Sequence, residues 1–92
     1  MASRLQGKVA VITGAVSGMG LAACELFVAE GAGVVIADVQ EDKGRALEQR
    51  LGEAASFVRC DVRNEADVRA AVERAVTRYG GLDVMYHNAA TT

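Results

Sequence analysis

The chain has 92 residues, ten basic and twelve acidic for a formal charge of −2, and 51% of them are hydrophobic. That is one small domain or part of a larger one, able to bury roughly 60–70% of the surface its unfolded chain exposes. The basic residues are scattered without forming a stripe, which argues against nucleic acid as a partner, and no apolar run approaches the roughly 18 residues of a membrane span.

The N-terminal MASRLQGK lacks the apolar region of a secretory signal, so a cytoplasmic location is expected. Cys24 and Cys60 lie far apart with no second Cys or His at ligand spacing. Neither a metal site nor a redox pair is expected of them, and both read as small buried apolar residues.

In chain order, Val9 to Thr13 is a continuous β-branched run of the kind found in strands buried on both faces. Gly18 to Glu30 follows with helical spacing, Met19, Ala22, Ala23, Leu26 and Phe27 forming one apolar face and Gly31 standing where a helix ends. Gly33 to Asp38 is a second buried strand. The next helix, from about Glu41 to Leu51, is mostly charged, with Ala46, Leu47 and Leu51 as its expected buried stripe.

Ser56 to Asp61 reads as a third strand. After it, Val68, Ala71, Val72, Ala75, Val76 and Tyr79 recur along one helical face; Asn64 can cap the start and Gly80-Gly81 can stop it. Leu82 to Asn88 is the fourth strand. The alternation β-α-β-α-β-α-β predicts an α/β fold, a three-layer doubly wound parallel sheet of Rossmann type with strand order 3-2-1-4. The first two helices are expected on one face and the third on the other, with a ligand outside the carboxyl ends of the strands where the order reverses.

The stretch TGAVSGMG, Thr13 to Gly20, leaves the carboxyl end of the first strand. Glycine weakens helices and strands, so three in eight residues need a reason. A plain strand-to-helix turn is one. The other is a phosphate site, since a helix N-terminus offers unpaired N–H groups and about half a positive charge. On that reading Gly14 makes the tight turn, Gly18 opens a path from backbone to pyrophosphate, and Gly20 lets the helix lie close to the sheet. No lysine follows as a P-loop requires. Asp38 ends the second strand 18 residues after Gly20, where an acid typically hydrogen-bonds the adenosine ribose. Its charge would repel the 2′-phosphate of NADP, and the flanking Val16, Val39 and Gln40 offer no cation to receive it, so NAD is the expected cofactor.

With these residues in place, the chain resembles the short-chain dehydrogenase/reductase family. Thr13 to Gly20 is similar to that family's TGxxxGxG fingerprint, and Asp38 to its acid at the end of the second strand. Asp61-Val62 resembles the DV after the third strand, and GGLDVMYHNAA the fourth strand ending in NNAG. The resemblance implies that Gly14, Ser17, Gly18, Met19, Gly20, Asp38, Val39, Asp61, Val62, Asn88, Ala89 and Ala90 face the cofactor. It implies that Asp61 meets the adenine amino group and that main-chain groups near Asn88 to Ala90 pass beside the nicotinamide ribose. His87 and Ala90 depart from NNAG, and His87 is read as a hydrogen-bonded structural residue.

The family's catalytic Ser, Tyr and Lys are not matched: Tyr79 is followed four residues on by Asp83 and Tyr86 by Ala90, and the lysines are Lys8 and Lys43. No catalytic residue is therefore assigned. Residues 1–92 are expected to be the N-terminal part of a single NAD-binding domain, truncated before the catalytic segment and inactive by itself. In a full-length form the substrate would be a small alcohol or ketone, and the assembly a possible homo-oligomer. The alternative is a non-catalytic dinucleotide-binding or regulatory module working with a partner chain. A methyltransferase also has a glycine loop and an acid at these places, but leaves DV and HNAA unexplained. An open edge on the fourth strand and an uncovered helix face predict a marginal or aggregation-prone monomer.

Overall fold

The computed structural model describes residues 4–88. Strand β1 (Val9–Thr13) leads to helix α1 (Gly18–Ala29), then β2 (Gly33–Asp38), α2 (Glu41–Leu51), a single 3-10 turn at Gly52–Ala54, β3 (Ala55–Arg59), α3 (Glu65–Tyr79) and β4 (Val84–His87). The four strands form one sheet in the order β3-β2-β1-β4. All three pairings are parallel, with Val11 opposite Val35 and Met85, and Ile36 opposite Phe57. This is the Rossmann-type arrangement predicted from the sequence.

The layers follow from the two-residue period of a strand, which sends alternate side chains to opposite faces. Ala10, Ile12, Val34 and Ile36 join Ala23 and Cys24 of α1 and Leu47 of α2 in one buried cluster. Val9, Val11, Val35 and Ala37 join Ala71 and Ala75 of α3 in the other. Every residue of β1 is buried, as a central strand covered on both faces requires.

Five expectations need correction. The face of α1 that meets the sheet is Gly20, Ala23 and Cys24 with Phe27 beside them, whereas Met19 and Leu26 are 71% and 56% exposed. Because α1 is apolar on several sides, both sets satisfy helical spacing, and the small residues win by permitting close approach to the strands. Ala46 of α2 faces solvent, its place taken by the buried Gly44, and Val76 of α3 is likewise exposed. Strand β3 stops at Arg59, not Asp61, because Arg59 pairs with Asp38 and β2 offers no residue beyond it. Strand β4 begins at Val84, not Leu82, and ends at His87, not Asn88. Ahead of it Asp83 binds Val9 twice: its carboxylate accepts the Val9 N–H at 2.9 Å and its own N–H donates to the Val9 carbonyl at 2.8 Å. This pair of hydrogen bonds sets Val84 opposite Ala10, the register of β4 on β1.

Among the described residues, β4 pairs only with β1, so its other edge carries unpaired backbone groups. Beside it Met19, Ala22, Leu26, Phe27 and Tyr86 line an apolar groove, with the Phe27 and Tyr86 rings edge to face at 6.4 Å. No helix among the described residues is long and apolar enough to cross a membrane.

Candidate dinucleotide site

The loop from Thr13 to Ser17 leaves β1 at the carboxyl edge of the sheet, next to the strand-order reversal between β1 and β4. Gly14 has φ +63° and Gly18 φ +57°, left-handed conformations that L side chains seldom adopt. Open space lies where a Cβ on Gly18 would point. At Gly20 the opposite holds: a Cβ there would overlap the Gly14 carbonyl and come within 2.7 Å of the Asn88 Nδ2. The helix start is therefore pressed against the loop and the end of β4.

Helix α1 differs from its neighbours at this end. Ser17 occupies the N-cap without making a side-chain cap bond, and the first turn holds no acidic residue. By contrast, Glu41 and Asp42 sit in the first turn of α2, and Asn64 caps α3 by accepting from the N–H groups of Ala66 and Asp67. No side chain of α1's own first turn offsets the positive end of the helix. Ser17, Gly18 and Met19 are exposed around it.

The other wall is built by Asp38. It is 7% exposed, and its carboxylate joins two loops, accepting from the Gln40 N–H at 2.9 Å and the Val16 N–H at 3.4 Å. These two bonds occupy half of the roughly four acceptor positions of a carboxylate, and Asp38 lines the cleft. As a mere helix cap Asp38 would bond the first turn of α2, and neither bond does so: α2 starts at Glu41 with Gln40 as its N-cap.

Gly14, Asp38, Val39, Cys60, Asp61, Val62 and Arg63 line a cleft of about 270 Å³ at this edge. Asp61 is clasped by Arg63: Oδ1 accepts from the Arg63 backbone N–H (2.9 Å) and Nε (3.1 Å), and Oδ2 from Nη2 (3.1 Å). These bonds hold its carboxyl down to about 2, well below the usual carboxylate range. Cys60 is buried and its thiol is pushed up, first by burial and then by the charges of Asp67, Asp61 and Asp38.

At the end of β4, the Asn88 backbone N–H donates to Thr13 Oγ1 at 3.0 Å and its side-chain amide to the Gly14 carbonyl at 3.3 Å. His87 Nδ1 lies 3.1 Å from Thr13 Oγ1, so this histidine is bonded to the end of β1 although its ring is exposed. Ala89 and Ala90 lie outside the described residues.

Of the expected site residues, Gly14, Asp38, Val39, Asp61 and Val62 meet in the cleft, Ser17 to Gly20 form the adjoining helix start, and Asn88 braces both. Met19 instead turns its side chain to the apolar groove. Arg63 and Cys60 were not anticipated there. The sequence held one signal for Arg63, since an Asp two residues before it readily accepts its backbone N–H in a turn.

Asp38 and Asp61 bring carboxylate acceptors to the cleft and Val39 and Val62 apolar surface, while the start of α1 presents backbone N–H groups beside it. Among the described residues no group of three or more His, Cys, Asp or Glu could hold a metal ion.

Residues 8–92 match the family model described as short chain dehydrogenase. The chain is 56% identical over 89 residues to momilactone A synthase of Oryza sativa subsp. japonica, which covers 96% of this chain and 32% of that protein. To tropinone reductase-like 1 of Erythroxylum coca it is 52% identical over 86 residues, 94% of this chain and 32% of the relative. Its structure superposes on 3-ketoacyl-(acyl-carrier-protein) reductase from Brucella melitensis complexed with NADH, with TM-score 0.84 and 43% identity over 88% of this chain and 34% of that one. The chain thus spans about a third of the length of the relatives it matches.

Proposed function

Since the chain belongs to the short-chain dehydrogenase family, we propose that it binds the adenosine and pyrophosphate portion of NAD(H), as the cofactor-binding part of an oxidoreductase acting on an alcohol or carbonyl. The observation that carries this is Asp38: a buried carboxylate, held by two backbone N–H groups, opening into the same cleft as the glycine turn. Membership of an oxidoreductase family with an NADH-bound structural neighbour supports a nicotinamide dinucleotide.

The residues fit each part of that ligand. Gly14 and Gly18 hold conformations that keep side chains away from the start of α1, and no acidic group there competes with phosphate. Asp38 accepts from the ribose hydroxyls. Asp61 stays ionised, hence acceptor-only, and suits an exocyclic amino group on the base. Val39 and Val62 supply apolar surface for its two faces.

Preference for NAD over NADP rests on charge. A 2′-phosphate would meet the Asp38 carboxylate, and the one cation lining the cleft among the described residues, Arg63, already has its guanidinium bonded to Asp61 through Nε and Nη2. Hydride transfer is not assigned to these 92 residues, which contain no Y-x-x-x-K. When bound, the nicotinamide supplies the hydride chemistry; the residues described here hold the far end of the cofactor.

Equilibrium titration with NADH and NADPH tests the reading. NADH should bind more tightly, and Asp38→Ala should weaken it about tenfold or more, since a hydrogen bond to a charged group contributes about 1.5–3 kcal/mol. Asp38→Asn keeps only one of the two oxygens that receive the Gln40 N–H (Oδ1) and the Val16 N–H (Oδ2), so urea unfolding of both variants is run beside the titration to separate ligand loss from loop disruption. No binding, or equal affinity for both cofactors, overturns the proposal.

A second reading, a dinucleotide-binding module that works with a partner chain, is favoured by the open β4 edge beside the apolar groove. Clean monomeric sedimentation together with a cooperative melt would count against it.

A further inference from the structure

Arg63 enters the cofactor reading only as a neutralised charge, yet it donates three hydrogen bonds to Asp61. An ionised carboxylate offers about four acceptor positions, two on each oxygen. Arg63 fills three of those on Asp61: both on Oδ1, through its backbone N–H and Nε, and one on Oδ2, through Nη2. One position on Oδ2 remains.

The segment under this clasp is anchored rather than loose. The Cys60 N–H donates to the Asp38 carbonyl at 3.0 Å, the Asp61 N–H to Asp67 Oδ2 at 3.0 Å, and the Asn64 N–H to the Asp61 carbonyl at 2.8 Å. Asp67 is itself held in the first turn of α3 by the Asn64 cap. Backbone and side chain of Asp61 are therefore both fixed, and the free Oδ2 position has a set direction. An exposed ion pair adds little stability on its own, and the Arg63 side chain is 78% exposed. The effect of the clasp is on orientation.

We propose that Arg63 is a positioning residue for base recognition: by clasping Asp61 it leaves one oriented acceptor at the cleft, which selects a 6-amino purine and rejects a 6-oxo purine. The inference rests on the reading that this cleft takes the adenosine end of the cofactor. Chemically, a 6-amino group donates to the remaining lone pair. A 6-oxo group brings a second acceptor against it, so two acceptors face each other without a proton between them. With the carboxylate pinned, it cannot turn away to relieve that pairing.

The test is paired titration of the 92-residue chain with NADH and with reduced nicotinamide hypoxanthine dinucleotide, in which a 6-oxo group replaces the 6-amino group and N1 carries a proton. The unsubstituted chain should prefer NADH by about tenfold or more, as for a hydrogen bond to a charged group. Arg63→Ala should reduce this preference by about three- to tenfold, the effect of releasing one immobilised side chain. Arg63→Lys should reduce it equally, because lysine keeps the charge and loses the fork. General destabilisation would weaken both ligands alike and leave their ratio unchanged.

An unchanged ratio in Arg63→Ala overturns the role of Arg63 while leaving the cofactor assignment intact, as does full restoration by lysine. A selective loss of NADPH binding in Arg63→Ala would place the guanidinium at a 2′-phosphate and also overturns it. If the unsubstituted chain binds neither dinucleotide, the cofactor reading itself fails and this inference falls with it.

Discussion

The carbonyl of Gly14 occupies the space that a Cβ on Gly20 would need, so the turn after β1 and the first turn of α1 meet backbone to backbone. Such a contact has no flexible side chain to give way. It brings the helix N-terminus to the edge of the sheet, beside the open space at Gly18.

Two substitutions separate these roles. Gly20→Ala should destabilise the fold by about 3 kcal/mol, the upper end of ordinary overpacking, because both the Gly14 carbonyl and the Asn88 amide stand in the way. Gly18→Ala should cost about 1–2 kcal/mol, from its left-handed backbone alone. Urea unfolding of the two variants checks the order, and a smaller effect at Gly20 would contradict the packing described here.

Gly44 poses a question of sign. Replacing a mid-helix glycine by alanine usually gains about 1 kcal/mol. Here a Cβ would run into the Phe57 ring, which is 3% exposed and has the Arg45 guanidinium over it at 5.5 Å from the centroid. Overpacking of about 1–3 kcal/mol should exceed the helical gain, so Gly44→Ala is expected to be destabilising. A double-mutant cycle with Phe57→Leu should recover part of the loss. A stabilised single variant would show that the ring yields freely.

Cys24 supplies a pH dependence. Burial, followed by the nearby charge of Glu25, pushes its thiol from 9.0 up to about 12. The folded chain holds this proton more tightly than the unfolded one, so the stabilising contribution is complete below pH 9 and is lost as pH rises from about 9 toward 12. Denaturation midpoints should therefore fall above pH 9. Cys60 and Tyr79 are raised in the same direction, so the Cys24 share is read by difference, with Cys24→Ala giving a shallower decline. In the native state Cys24 should also resist alkylation at pH 8, when urea-unfolded chain reacts.

Much of the site was legible because its requirements are local. Positive φ at Gly14 and Gly18, an acid at the end of β2 and an Asp-Val pair after β3 can each be read from a few neighbouring residues. Arg63 is not legible from the sequence neighbours of Asp38, from which it stands 25 positions away. It reaches the cleft only when β3 lies beside β2 and the chain turns after Arg59. The bonds of Asp83 to Val9 and of Asn88 to Thr13 and Gly14 join residues more than seventy positions apart and are equally invisible along the chain.

The sequence alone determined the alternation of strands and helices, the parallel pairing and the strand order 3-2-1-4. Two-residue and 3.6-residue periodicities, with glycine stops, leave few other arrangements. It did not determine which side of α1 is buried, since apolar residues occur on several of its sides and both stripes fit the same period. Tertiary packing decided in favour of Gly20, Ala23 and Cys24, because only small side chains let α1 approach the strands closely enough for Gly20 to touch Gly14. The same packing turned Met19 and Leu26 outward into the groove beside β4, and brought Arg63 to Asp61 in the cleft.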